Sequence, residues 1–481
     1  MNTQRLAGLE PQSVFAHFEQ LCAIPHGSGN TKQVSDFLAA FAAKNGIKCI
    51  QDSLNNILWF VPGTCGMESH RPVVLQGHMD MVCEKDAGCP LDMATQGLDL
   101  AHDGENIYAR GTTLGGDDGI AVAFAMTLAS DSSIPHPPLE ILLTVDEEVG
   151  MEGASGVDLT PFTGRTMINL DSEDEGIFTV SCAGGARGTI HLNAQRRAVY
   201  GPCVRLTVEG LAGGHSGVDI DKRRANANKV MGELLGRVQS LMPVCITSFT
   251  GGAKDNAIPR SCTVTLVALG IDLERINGVT SALEDEIRAA YDEPDVYIHA
   301  EDIDALGGNA LTTGDSARLT ACLNSAPNGI QAWSKDIPGL VQTSLNLGVA
   351  KLGEEEFTMT FAVRSSVNAE KRSLLKKLEE LAAFHGGSYS QMGDYPAWEY
   401  RADSPLRETM VALYTDMFGV SPVVSAIHAG LECGILSAKL PGLDCVSIGP
   451  QMQDIHTSRE KLSIASTKRT WDFLCALLGR L

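Results

Sequence analysis

Seven residues of this chain have the types and placement for hydrolytic chemistry: His78, Asp80, Asp117, Glu147, Glu148, Asp171 and His456. Two imidazoles and several carboxylates, with no thiolate, form a donor set suited to zinc, manganese or cobalt. Two such ions about 3.5–4 Å apart need a carboxylate that spans them. One Asp, two His and two further acids supply a bridge and two ligands per ion. Glu147, beside a ligand, is then left to act as general base on the attacking water. Each residue alone carries little, since a strand-end His is commonly structural and a Glu-Glu pair is commonly a solvated edge. Their joint placement at strand ends and in glycine-rich loops is the informative feature.

The elements that must position them can be read from the pattern. Val73-Val74-Leu75-Gln76-Gly77 reads as a buried strand running out into His78-Met79-Asp80. A His and an Asp two residues apart point the same way off an extended chain. The carboxyl end of a parallel strand is where an open α/β sheet places its ligands. Residues 139–145 form an apolar strand ending in Asp146-Glu147-Glu148, and residues 166–170 one ending in Asp171. Asp117 lies in a glycine-rich loop, 110–119, that feeds a small-residue helix over 120–129. His456 lies in a loop, 454–460. Before these come a helix over 11–22, a second helix capped by Ser28 or Asn30 and ended by Gly46, and strands over 47–50 and 56–61. Residues 83–109 read as a polar loop.

Strands alternating with helices predict an α/β catalytic domain: a mostly parallel sheet with helices on both faces. The texture changes near residue 185. From there to 398, alternating strands and two long amphipathic helices, about 224–241 and 369–384, predict an inserted α+β lid domain. The catalytic domain is then built from 1–184 and 399–481. In its second part Ser404-Pro405 has the pattern of a helix start, short strands follow over 423–426 and 444–448, and a last helix covers 463–478.

Bulk composition narrows the function classes. A length of 481 residues favours more than one domain. Hydrophobic content of 44% and charged content of 20% describe a soluble globular protein. A net charge of -22 argues against a nucleic-acid partner. The 13 cysteines are scattered with no CxxC pair, which fits reduced thiols in a cytoplasmic protein. Met1 to Gln12 lacks a signal-peptide pattern, and the longest apolar run, 119–129, is too short to span a membrane.

The ordered motifs match a known family. Gly77-His-Met-Asp80, Gly115-Gly-Asp-Asp-Gly119, Asp146-Glu-Glu148, Asn169-Leu-Asp171, Ala212-Gly-Gly-His-Ser-Gly217, Asp255-Asn-Ala-Ile-Pro259, His428-Ala-Gly-Leu-Glu-Cys-Gly434 and Ile455-His-Thr-Ser-Arg-Glu460 occur in order along essentially the whole chain. The chain thereby resembles the co-catalytic dizinc peptidases, which include PepV-type dipeptidases, carboxypeptidase G and aminoacylases. Within that family it is most similar to the PepD, or aminoacyl-histidine dipeptidase, branch. The resemblance implies two Zn2+ per subunit, with Co2+ or Mn2+ able to substitute. His78 and Asp171 would hold one ion, Glu148 and His456 the other, and Asp117 would bridge. Glu147 would be the general base, and Asp80 would hydrogen-bond the His78 ring and set its tautomer. The peptide bond after Asp117 would be cis. His215 would stabilise the oxyanion of the tetrahedral intermediate, in its own or a partner subunit's site. Asn256 and Arg364 would contact the polar ends of the substrate, and Gly430 would allow close backbone approach to it.

The activity so implied is hydrolysis of unblocked dipeptides, Xaa-His dipeptides such as β-alanyl-histidine (carnosine) above all, by a homodimer formed through the lid. Two rivals compete with this reading. An N-acyl amino acid amidohydrolase or carboxypeptidase would use the same chemistry on other substrates. A non-catalytic metal-binding protein would need neither Glu147 nor His215. A thiol enzyme fits poorly, because no Cys lies in a motif with a His partner.

Overall fold

The computed structural model describes residues 5–268, 270, 272–303 and 307–481. The chain divides into two compact units. Unit 1 comprises the residues up to Ser181 together with Tyr400–Ala426 and Leu431–Leu481; unit 2 comprises Cys182–Glu399 and Ile427–Gly430. The sequence texture carries no sign of the four-residue return at Ile427–Gly430.

Unit 1 is organised around a mixed sheet of eight strands. Their order is Lys48–Gln51, Ile57–Val61, Leu139–Thr144, Val73–His78, Thr166–Asn169, Asp444–Ser447, Ile177–Cys182 and Val423–Ile427. Val73–His78 pairs in parallel with Leu139–Thr144 on one side and with Thr166–Asn169 on the other, and Asp444–Ser447 continues the parallel set. The first two strands, and Ile177–Cys182 beyond the parallel set, pair antiparallel. The parallel pairs described join the four central strands, in a sheet that is mixed rather than mostly parallel. These are also the most buried, as expected where a parallel sheet is covered: every residue of Val73–His78 and of Leu139–Thr144 is buried.

Register decides what the strand ends share. His78 sits opposite Thr144, and Gln76 opposite Asn169. Glu147 and Glu148 thus follow directly beyond the end of one neighbour, and Asp171, two residues past Asn169, lies level with His78 beyond the other.

The element Gly116–Ser130 is broken at Asp117 and Asp118, whose φ/ψ are not helical; the helix beyond them is apolar on all sides, and each residue from Gly116 to Leu128 is buried. That pattern marks a core helix rather than a surface one. Phe124 stacks on Trp471 of the last helix, Ile464–Leu478, at 5.4 Å between ring centroids. Helix Gln12–Cys22 packs against the same core helix and buries Val14, Phe15, Phe18 and Leu21. Each such side chain contributes about 1.5–3 kcal/mol of burial.

Two local expectations are corrected. The second helix, Lys32–Lys44, starts after Thr31 rather than at Ser28 or Asn30. Both expected caps are engaged elsewhere: Ser28 Oγ donates to Asp80 Oδ2 at 2.8 Å, and Asn30 Nδ2 donates to the Ala94 carbonyl at 3.0 Å. Residues 83–109 are not all loop. Leu100–His102 and Asn106–Ala109 form a hairpin extended by Lys461–Ser463 and Met452–Gln453. Strands of two to four residues are too short to show an alternation in sequence. At Ser404 the expected cap is present, its Oγ accepting from Arg407 N at 3.1 Å.

Unit 2 is an α+β unit built on an antiparallel nine-stranded sheet. The helices Ala227–Leu241 and Asn368–Phe384 lie close to the predicted spans, and Leu273–Ala290 and Thr313–Ser325 are two further helices not legible in the sequence pattern. Asn226 opens the first, its side chain accepting from Asn228 N and Lys229 N. Phe249, Phe357, Phe361, Leu234 and Leu235 lie in one buried core between sheet and helices.

Candidate metal centre

The parallel strands of unit 1 deliver His78, Glu147, Glu148 and Asp171 to one edge, and two loops bring Asp117 and His456 to them. Asp117 is the centre of the arrangement. Its Oδ1 lies 3.1 Å from His78 Nε2, and its Oδ2 lies 3.1 Å from His456 Nε2. His78 Nε2 is also 3.4 Å from Asp171 Oδ1, and His456 Nε2 is 2.9 Å from Glu148 Oε1. One carboxylate thus presents each of its oxygens to a different imidazole, and each imidazole faces one further carboxylate.

The donor set fits metal ions. Two atoms each ~2.0–2.1 Å from one tetrahedral ion lie ~3.3 Å apart, close to the separations above. Three overlapping groups have ligand atoms all within 4.8 Å of one another: His78 with Asp118 and Asp171, His78 with Glu147 and Glu148, and Asp117 with Glu148 and His456. No cysteine enters any of them. Asp118 is held differently from Asp117, since its Oδ2 accepts from the backbone N of His78 at 3.2 Å. The peptide bond between Asp117 and Asp118 is cis.

The His78 ring is held by its own strand end. Nδ1 lies 2.9 Å from the backbone carbonyl of Asp80 and 3.5 Å from Asp80 Oδ1. The carbonyl is therefore the closer acceptor for Nδ1–H, and Nε2 is turned toward Asp117 and Asp171. The Asp80 carboxylate is itself fixed by Ser28 Oγ and by the backbone N of Glu147, at 2.8 and 3.1 Å. Asp80 thereby ties the His78 strand to the start of the Glu147–Glu148 loop.

Electrostatics make the site a sink for positive charge. Burial opposes a charged His78, yet Asp171, Asp117 and Asp80 outweigh it and hold the imidazole well above its ordinary pKa. Hydrogen bonds to Asp117 and then Glu148 push His456 up to about 10. Burial, with Asp171, Glu432 and Glu148 nearby, pushes Glu147 up to about 9. Burial likewise pushes Asp171 up to about 6, with Asp117 and Glu148 adding to the effect. Asp117 is the exception: burial acts against its charge, but the hydrogen bonds from His456 and His78 hold it well below the carboxylate range. Acids pressed toward protonation by burial first and by their neighbours second are a favourable setting for a cation.

Two acids that the strand-end pattern does not single out complete unit 1's site. Glu432, fully buried, accepts from Gln76 Nε2 and Thr144 Oγ1 at 2.5 and 2.6 Å, and Gln76 Oε1 accepts from Asn169 Nδ2 at 2.5 Å. This network lies across the three strands that deliver the ligands. Glu460 lies under the Asp117 loop. Their only sequence signal is membership of the His428–Gly434 and Ile455–Glu460 motifs, without a hint of partner.

The remaining candidates, His215, Asn256, Arg364 and Gly430, belong to unit 2. His215 is in a two-residue strand, Gly214–His215, paired with Ala257–Ile258. Its Nδ1 accepts from the backbone N of Gly217 and of Val218, both at 3.2 Å. The ring proton is thereby assigned to Nε2, leaving an outward N–H donor. Burial, then the Arg364 charge, lower the His215 pKa and keep it neutral. Arg364 Nη1 donates to Tyr395 OH at 3.3 Å, and its Nε is buried without a partner. Asn256 accepts from Ser216 N through its backbone oxygen at 2.9 Å, and its side chain is exposed. A Cβ on Gly430 would meet the Tyr395 ring at 2.7 Å, so the close approach this glycine allows is to Tyr395. His428, outside the candidate set, bonds Ser344 Oγ through Nε2 at 2.7 Å.

Comparison with known proteins gives a consistent result. The family model "Peptidase family M20/M25/M40" matches residues 74–480. The cytosol non-specific dipeptidase of Escherichia coli (strain K12) is 34% identical over 477 residues, covering 98% of both chains. The crystal structure of aminoacylhistidine dipeptidase from Vibrio alginolyticus superimposes with a TM-score of 0.92 at 34% identity, covering 99% of this chain and 98% of that one. The aminopeptidase PepT from Bacillus cereus ATCC 10987 shares the fold, with a TM-score of 0.55 at 15% identity, covering 98% of each chain.

Proposed function

The chain belongs to peptidase family M20/M25/M40, and from that premise we propose that it is a metal-dependent dipeptidase acting on unblocked dipeptides, with Xaa-His dipeptides such as β-alanyl-histidine preferred. The chemistry rests on one observation: the two oxygens of Asp117 each face a different imidazole at 3.1 Å. The substrate class rests on the two full-length relatives at 34% identity, both named as dipeptidases.

In this reading His78 and Asp171 hold one ion, Glu148 and His456 the other, and Asp117 serves both. Zinc is the proposed ion, with cobalt or manganese able to substitute. When bound, such a pair polarises the scissile carbonyl and acidifies the attacking water. Glu147 takes the proton from that water at its carboxylate and returns it to the leaving amine. Burial raises its pKa in the metal-free site, where it holds a proton; the charge of bound cations would lower that pKa and free the carboxylate to accept one. Asp80 keeps the Glu147 loop and the His78 ring in fixed relation. His215 donates Nε2–H to the developing oxyanion. Arg364 pairs with the substrate carboxylate, a match for its fork of donors. Asn256 contacts the substrate's other polar end, and Gly430 gives the substrate access to the backbone.

We further propose a homodimer through unit 2. Exposed Trp333 and Tyr291, on a concavity of about 850 Å³, support that assignment. The cytoplasm is the proposed compartment: all 13 cysteines are unbridged, and the E. coli relative is named a cytosol enzyme. No helix among the described residues is long and apolar enough to cross a membrane.

The test compares hydrolysis of β-alanyl-histidine with that of its N-acetylated form, before and after chelation and with zinc or cobalt restored. Metal-dependent cleavage of the free dipeptide alone is expected. Cleavage of the blocked form instead moves the protein to the amidohydrolases, and absence of metal-dependent cleavage of either overturns the reading.

A further inference from the structure

We propose that Glu460 is a positioning residue for the metal centre: its carboxylate fixes the Leu114–Asp117 backbone, and so holds Asp117 in the orientation that faces both imidazoles. Its Oε2 accepts from the backbone N of Leu114 and Gly115 at 2.8 and 3.2 Å, and its Oε1 accepts from Gly116 N at 2.8 Å, with Asp117 N at 3.5 Å. Successive backbone N–H groups curling around one anion form a nest of the kind that binds phosphate. Here the anion is the chain's own carboxylate.

Three features set this apart from an ordinary surface acid. Glu460 is 3% exposed, and its carboxylate is bonded by the backbone N–H groups of Leu114, Gly115 and Gly116, which oppose the upward push of burial and of Asp117 on its pKa. The nest requires its glycines: Gly115 has φ +67, and a Cβ on Gly116 would stand 3.2 Å from Glu460 Oε1. Glu460 also closes the loop that carries His456, since its backbone N donates to the Thr457 carbonyl at 3.1 Å. A single side chain therefore joins the loop of Asp117 to the loop of His456, the two ligands that face each other at 3.1 Å. A bridging carboxylate must keep both oxygens aimed, and a rotation that serves one ion forsakes the other. Fixing its backbone on the N-terminal side fixes that aim, while the buried helix that follows Asp118 holds the other side.

This inference rests on the metal-centre reading above, but its test needs no substrate. Full-length Glu460→Gln and Glu460→Ala proteins are stripped of metal and titrated with Co2+ against a chromophoric chelator, with the visible Co2+ spectrum recorded at saturation. Glutamine is nearly isosteric but turns an NH2 toward one pair of N–H donors. Loss of a group that orients a ligand costs about 10–100-fold in metal affinity. Glu460→Gln is expected to weaken Co2+ binding within that range and to alter the spectrum at saturation. Glu460→Ala, where it folds, is expected to weaken binding further. Glu460→Asp, which keeps the charge on a shorter arm, is expected to recover part of the loss. If Glu460→Gln melts earlier in the metal-free state yet binds Co2+ with unchanged affinity and spectrum, Glu460 only caps a helix and the proposal fails. Loss of dipeptidase activity with normal Co2+ binding overturns it equally. Co2+ weakening in a protein that never cleaves dipeptides leaves this proposal standing while the proposed substrate falls.

Discussion

Both units set histidines beside charged groups, and the outcomes are opposite. In unit 1, His78 is driven well above its ordinary pKa against its burial by Asp171, Asp117 and Asp80, and His456 is pushed up to about 10 by Asp117 and Glu148. In unit 2, burial and the Arg364 guanidinium lower His215 and push His428 down to about 4. The same side chain is thus favoured in its protonated form in metal-free unit 1 and pressed toward its neutral form in unit 2. Unit 1 is short of positive charge and suits cations. Unit 2 gathers Arg364 and neutral N–H donors, and suits developing or fixed negative charge. The proposed function uses both kinds of environment, which are carried by separate parts of the chain.

The contrast can be broken at several points. The largest effect is expected at Glu147. Glu147→Gln should lower kcat by ~10²–10⁴-fold while two metal ions per chain are retained, as measured by steady-state kinetics and metal analysis of the same sample. Metal loss in that variant would instead make Glu147 a ligand, a possibility its grouping with His78 and Glu148 keeps in view. His215→Ala is expected to lower kcat by ~10²–10³-fold, the usual effect of removing an oxyanion donor, with unchanged metal content. If metal content fell with it, the division of labour between the units would be wrong.

The pH dependence of stability sharpens the comparison without any catalysis. In metal-free protein, His456 is held at about 10 and Glu147 at about 9, against ordinary values of 6.5 and 4.5. A raised folded-state pKa means the native state binds the extra proton, so this stability is complete at low pH and is lost as pH climbs toward 9–10. His428, at about 4 against 6.5, has the opposite sign: its contribution is present above 6.5 and is lost as pH falls toward 4. Thermal unfolding of metal-free protein should therefore show a midpoint falling from pH 6.5 to 9, and added zinc should flatten that fall. Hydrogen exchange should place the acid-side loosening in unit 2. A midpoint that rises through pH 6.5–9 without metal would contradict the charge balance assigned to unit 1.

The smallest effect is expected at Gly430. Its missing Cβ is occupied by the Tyr395 ring, so Gly430→Ala should destabilise the protein by about 1–3 kcal/mol through overpacking, read from denaturant unfolding. An unchanged stability would mean that Tyr395 swings away without strain.

Much of unit 1 was legible in the chain. Val73–His78 announces itself by apolar residues ending in Gly-His-Met-Asp, and the acids after Leu139–Thr144 and Thr166–Asn169 follow apolar runs in the same way. What escaped reading involved competition or distance. Ser28 and Asn30 have cap chemistry, yet their side chains go to Asp80 and Ala94, so the helix begins without them. Ring orientation also escaped: the sequence does not say which Asp80 oxygen meets His78 Nδ1, and the backbone carbonyl at 2.9 Å is nearer than the carboxylate at 3.5 Å. The hairpin of Leu100–His102 and Asn106–Ala109 depends on pairing with Lys461–Ser463, which no local pattern reveals.

Residue type and order were enough to identify the donor chemistry, the α/β class and the family resemblance, because these depend on local periodicity and on which groups can ligate, accept or donate. They could not say that Asp117 divides its two oxygens between His78 and His456, that Glu460 closes a nest of amides 344 residues away at Gly116, or that Glu432 ties the ligand-bearing strands from below. Those facts arise from strand register and from loops meeting across the fold, where a hydrogen bond depends on tenths of an ångström and on burial, neither of which is written in the neighbourhood of any one residue.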